Sequence, residues 1–168
     1  FSGRPAMISD VRWAAAEVLL SGARPDPVTL VLQPGVPISG RVLFDGPDQP
    51  PSDLSSFRIV LNNARPNEGG NTSSLAEIGP DGRFTIDGVT PGVYRVTVMS
   101  ASNWRPKSFN AGGRDALDFL LTVAPNQDIG VAELTLTTRT STLSGTLTDA
   151  AGRPAPAHTI IVFPDDQT

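Results

Sequence analysis

This chain has no cysteine, a single lysine, a single histidine and a single tyrosine in 168 residues. The missing cysteines exclude disulfides, thiolate metal sites and cysteine nucleophiles together. Hydrolysis of the serine type needs a nucleophile, a base and an orienting group within reach of one another. The one histidine, His158, stands in the run Ala157-His158-Thr159-Ile160 without such a set, and reads as a surface or strand-edge residue. No catalytic residue, enzymatic activity or cofactor is therefore expected. No apolar run reaches the roughly 18 residues of a membrane-spanning helix, so no direct membrane insertion is expected. The 13 basic residues are scattered among 17 acidic ones, for a net charge of −4. Nucleic acid is disfavoured as a partner, because nothing gathers the cations into a stripe that could displace phosphate counterions.

What the chain does have is turns. Sixteen glycines and sixteen prolines punctuate a sequence that is 39% hydrophobic, a composition that favours short strands over long helices. It also repeats itself. Ile38-Ser39-Gly40-Arg41-Val42 returns as Leu143-Ser144-Gly145-Thr146-Leu147, 105 residues later. The likeness extends to Leu30-Val31-Leu32 with Leu134-Thr135-Leu136, to Arg4-Pro5 with Arg105-Pro106, and to Asp45-Gly46-Pro47 with the stretch from Asp149 to Pro154. An offset of that size is one small domain. The chain reads as a window on a tandem array, with residues 1–35 as the C-terminal part of one unit, 36–138 as a complete unit and 139–168 as the first strands of a third.

Period-2 patterning marks the strands. Asp81-Gly82 precedes Phe84 and Ile86, and Pro91-Gly92, which fits the centre of a type II turn, precedes Tyr94, Val96 and Val98. These five side chains should face the core, with Arg83, Thr85, Arg95 and Thr97 on the solvated face. Further strands are expected at 38–44, 57–61, 117–123 and 129–136. Phe57, Ile59 and Leu61 share one face of the second and Leu117, Phe119, Leu121 and Val123 one face of the third, and between Val131 and Leu134 the apolar phase slips, which suggests a bulge or an edge strand in the fourth. Residues 62–71 read as a long loop, and the alanine-rich 11–20 as strand or irregular rather than helix. Seven or eight short strands with turns at these intervals predict an all-β chain of tandem Greek-key antiparallel β-sandwiches.

The Asp81-Gly82-Arg83-Phe84 and Val89-Thr90-Pro91-Gly92-Val93-Tyr94 segments, behind an Ile38-Ser39-Gly40-Arg41-Val42 opening strand, resemble the carboxypeptidase regulatory-like domains. These are prealbumin-like sandwiches close to the B-repeats of collagen adhesins. The later Leu143-Ser144-Gly145-Thr146-Leu147-Thr148-Asp149-Ala150-Ala151-Gly152-Arg153-Pro154 looks like the same family's opening, with Leu147 where valine is usual. The resemblance implies a non-catalytic module of a large exported or envelope-associated bacterial protein, with neighbouring domains of the same parent chain as partners and an extracellular or cell-envelope location. Some relatives of the fold are grouped as carbohydrate-binding-like. The transthyretin-like hydrolases of this broad fold use several His and Arg residues and a C-terminal tyrosine motif, which find no match here. The Lys-to-Asn isopeptide bond of many adhesin repeats finds none either. Lys107 is the only lysine, Arg41 holds the opening strand, and 129–136 has no asparagine.

A carbohydrate module would need an exposed aromatic ring and polar neighbours, and the candidates are Trp104 with Asn103 and Arg105. The opposing reading makes Trp104 a lid that closes one end of the core, and Trp13 is expected at a domain junction. Asp45, Asp48 and Asp53 share a loop but match no calcium spacing, so no metal is expected. Gly112-Gly113-Arg114-Asp115 lacks the strand-to-helix setting of a phosphate cradle and reads as a tight turn with a local Arg114–Asp115 ion pair. Carbohydrate, or another protein added at an exposed edge strand, are the further partner classes.

Overall fold

A computed structural model describes residues 11–18, 22, 27–65, 73–155 and 158–163. Among them there is no helix, and eleven strands form three mostly antiparallel sheets. In chain order these are β1 (Arg12–Trp13), β2 (Gln33–Pro34), β3 (Val36–Asp45), β4 (Arg58–Asn63), β5 (Ser73–Glu77), β6 (Arg83–Val89), β7 (Gly92–Met99), β8 (Arg105–Ala111), β9 (Arg114–Asp115), β10 (Leu121–Val123) and β11 (Val131–Thr137). The short β1 and β2 pair with each other. A four-stranded sheet runs β10-β7-β4-β5, and a five-stranded sheet runs β6-β3-β11-β8-β9.

Both larger sheets turn an apolar face to one shared core. Ile38 and Val42 of β3, Phe84 and Ile86 of β6, Phe109 of β8 and Leu134 and Leu136 of β11 meet Ile59 and Leu61 of β4, Ala76 of β5, Tyr94 and Val96 of β7 and Leu121 and Val123 of β10. The arrangement is sandwich-like, and strict alternation explains it, since a strand buries every second residue. The expected inward faces 84/86, 94/96 and 57/59/61 are all buried, with Val98 partly so. Tyr94 anchors the β6-to-β7 crossing, its hydroxyl donating to the Thr90 carbonyl at 2.7 Å. That crossing joins different sheets, because β6 lies in the five-stranded sheet and β7 in the four-stranded one.

Several expectations need correction. Gly92 opens β7 and is not in the left-handed region; the glycine with positive φ here is Gly88, at +66°. Gly88 belongs to an extra residue in β6, between the pairs Val36↔Val89 and Ile38↔Ile86, so it serves a bulge rather than a type II turn. The strand expected over 117–123 shrinks to β10, with Leu117 only partly buried and Phe119 exposed. The last strand is no edge. β11 sits between β3 and β8, and its inward phase runs through Ala132, Leu134 and Leu136 with Val131 turned out at 71% exposure. The irregularity lies on its partner, where β8 carries one residue too many opposite Thr135 and Leu136. Four strands were missed, the two-residue β2 and β9 and the longer β5 and β8. β5 reads Ser-Ser-Leu-Ala-Glu, and β8 contains Pro106 and Lys107; neither alternates clearly enough to be seen without its neighbours. The expected loop 62–71 gives up Asn62 and Asn63 to β4, and residues 66–71 lie outside those described. In the expected strand or irregular segment 11–20, only Arg12–Trp13 is strand, and residues 19–20 are outside the described set.

The largest departure from an antiparallel architecture is at the centre. β3 and β11 run parallel over seven pairs, from Val131↔Ser39 to Thr137↔Asp45. The first and last strands of the two-sheet unit are thus direct neighbours pointing the same way.

Candidate functional site

The residues proposed for ligand stacking are divided by the fold. Trp104 follows a small serine turn, in which the Ser102 backbone N–H donates to the Ser100 hydroxyl at 3.1 Å and the Trp104 N–H to the Ser102 hydroxyl at 3.2 Å. This turn directs the indole inward. The residue is 4% exposed, and its ring meets Phe44 edge to face with centroids 5.0 Å apart. A stacking platform needs a free face, and the buried Trp104 has instead the position of the core-lid reading, with Asn103 and Arg105 exposed beside it. Trp13 is half-buried, its indole N–H donating to the Pro34 carbonyl at 3.2 Å just before β3 begins.

The other chemical candidates are engaged in structure. Asp45 accepts from the Lys107 ammonium at 2.6 Å and lies 3.7 Å from the Arg139 guanidinium. The Lys107 hydrogen bond holds its carboxyl below the ordinary value of 3.8, outweighing the opposing desolvation, and the charges of Lys107 and then Arg139 add lesser contributions in the same direction. Lys107 is the extra residue of the β8 bulge, which aims the only lysine across β11 at the end of β3. Asp53 binds the Ser55 side chain and backbone, which lowers its own carboxyl. The expected Arg114–Asp115 pair is replaced by two separate contacts. Asp115 Oδ1 accepts the backbone N–H groups of Phe109 and Leu117 at 2.9 and 3.0 Å, and the Arg114 guanidinium lies over the Phe119 ring at 4.8 Å. His158 is exposed, with Nδ1 3.2 Å from the Ala155 carbonyl. Among the described residues no three His, Cys, Asp or Glu side chains converge to hold a metal, and no helix is long and apolar enough to cross a membrane.

Two of the surface depressions bear on the sheet and on the repeat. The outer face of the five-stranded sheet has a shallow depression of about 680 Å³ over Arg41, Arg83, Thr85 and Glu133. Its charges are matched in place, Arg41 with Glu133 and Arg83 with Asp81. A pocket whose cations already hold carboxylates offers little to an anionic ligand. Beyond β11, Leu143, Leu147, Ile160 and Val162 line an open apolar groove of about 480 Å³. Leu143 and Leu147 are the repeat mates of the core residues Ile38 and Val42, yet Leu143 is 78% exposed.

The most developed geometry is the β3–β11 ladder itself. Gly40 lies opposite Ala132, and a Cβ there would stand 2.5 Å from the Ala132 carbonyl oxygen and 2.2 Å from the Phe84 ring. Only glycine lets the two backbones and the ring approach this closely. Arg41 Nε donates to Glu133 across the same pair of strands at 2.9 Å, and Asp45 ties the far end of β3 to β8 through Lys107 and to the chain just past β11 through Arg139. A parallel pair of this kind sends the chain in and out at opposite poles. The chain meets β3 at Val36 and leaves β11 at Thr137, beside Asp45 at the other end of β3. No protein-family model, curated protein or solved structure matches this chain.

Proposed function

We propose that this chain is a non-catalytic structural module, a stretch of a tandem array of prealbumin-like Greek-key β-sandwiches resembling carboxypeptidase regulatory-like domains, which spaces and displays other domains of an exported or envelope-associated bacterial protein. The observation that carries the reading is the parallel pairing of the first and last strands of the unit. With its two ends at opposite poles, each unit adds its length to the array instead of folding back on the previous one. β3 has ten residues, which at about 3.3 Å per residue gives roughly 30 Å along the axis. The 105-residue repeat and the ion-paired outer face of the five-stranded sheet support the same reading. The carbohydrate alternative loses its stacking ring to the core.

A distance measurement tests it. Because the chain has no cysteine, spin labels at Pro34→Cys and Thr140→Cys report cleanly on the two poles. A separation of about 30–40 Å is expected, and one below about 20 Å sinks the spacer reading. A glycan screen of the same protein is expected to be blank, and saturable binding to any polysaccharide would overturn the non-binding part of the proposal.

A further inference from the structure

We infer that the β3–β11 ladder is a tension clamp, an inference that rests on the spacer reading and gives the array a mechanical role. Pulling the chain before Val36 draws β3 toward one pole, and pulling it after Thr137 draws β11 toward the other. The two strands lie side by side, so tension slides them past each other along their length. The evenly spaced bonds of a parallel ladder are then loaded together. Had the first and last strands paired antiparallel, both ends would leave at one pole, and the same tension would open the bonds one after another.

The flanks reinforce this geometry. β6 holds the other side of β3 and β8 the other side of β11, so neither strand can peel away as an edge. Sliding also drags Ile38 and Val42 past Ala132, Leu134 and Leu136 inside a packed core, where every side chain must leave its contacts before the next can form. Arg41–Glu133 resists the slip at mid-ladder, and Lys107–Asp45–Arg139 resists it at the far end. There is no covalent lock. Cysteine is absent, and the only lysine is spent in the ion pair with Asp45. The clamp therefore yields and re-forms, releasing the whole unit when it gives way. Residues 36–137 would lengthen by about 300 Å at roughly 3.4 Å per extended residue.

Single-molecule force spectroscopy on the full chain tests the inference by pulling the same fold in two directions. Handles at the two chain ends shear the ladder. Handles at Asp48→Cys and Thr140→Cys, both exposed and both at the Asp45 pole, unzip it. Forced rupture reads the unfolding barrier along the pulled direction. The expected result is a single rupture in the shear direction, with a contour gain of about 300 Å, at a force several times that of the unzipping direction. Equal forces in both directions, or stepwise shear unfolding that begins at β9 or β10, would overturn the clamp. Both double-cysteine handles sit in exposed loops, and a thermal melt matching the parent chain certifies the fold before pulling. The two proposals fail separately. A correct spin-label distance with no force anisotropy removes the clamp alone, whereas a short distance removes the spacer and the clamp with it.

Discussion

Gly40 and Gly145 occupy the same place in the repeated Ser-Gly motif, and the structure predicts opposite responses to the same substitution. In Gly40→Ala the new methyl would stand 2.2 Å from the Phe84 ring and 2.5 Å from the Ala132 carbonyl oxygen. The ring is buried and packs 6.0 Å from Phe109, and the oxygen is backbone in the β3–β11 pair. Neither can retreat without disturbing the ladder or the core. Overpacking of a filled interior costs about 1–3 kcal/mol, and a backbone obstacle places this case at the upper end, about 3 kcal/mol. For a unit of about 100 residues that is a fall in Tm of roughly 15 °C. Gly145 has no atom within 4 Å of an added Cβ, so Gly145→Ala should stay within about 0.5 kcal/mol of the parent. Urea titration followed by Trp104 emission, read in a Trp13→Phe background, measures both, because the buried indole reports loss of the shared core. The reasoning is refuted if Gly40→Ala loses less than about 1 kcal/mol, or if Gly145→Ala loses as much.

Trp104→Ala should cost about 3–5 kcal/mol, the range for emptying a large aromatic from a core; with Trp13→Phe removing the half-buried second indole, the remaining emission should be blue-shifted and shielded from iodide, and ready quenching would contradict the lid. For Asp45, whose carboxyl is lowered mainly by the Lys107 hydrogen bond, the sign is fixed: the stabilisation is in place above the ordinary value of 3.8 and is lost as pH falls through the lower folded value. Asp45→Asn should therefore flatten the acid limb of a stability profile measured between pH 5 and pH 2 while leaving the limb above neutrality unchanged, and an identical acid limb in both proteins would contradict the assignment.

The sequence alone settled the all-β class, the turn-rich composition and the inward faces of β4, β6 and β7. Each of these rests on information local to a few residues. Alternation sets which side chain is buried, and glycine and proline mark where the chain bends. It also contained the repeat, which is a property of the string. What it misjudged were features decided by neighbours. β5 and β8 become strands through pairing, Ala76 opposite Ile59 and Phe109 opposite Leu134, although neither segment has a strong preference of its own. The phase slip near Val131 came from counting Val131 as an inward residue, when Ala132 takes that place. Trp104 carried both readings until packing against Phe44 chose the core. The parallel direction of β3 and β11 could not be read from either strand, because a run of alternating residues is the same whichever way its partner points. Only the path of the chain through both sheets fixes that direction, and with it the opposite poles on which the spacer and the clamp depend.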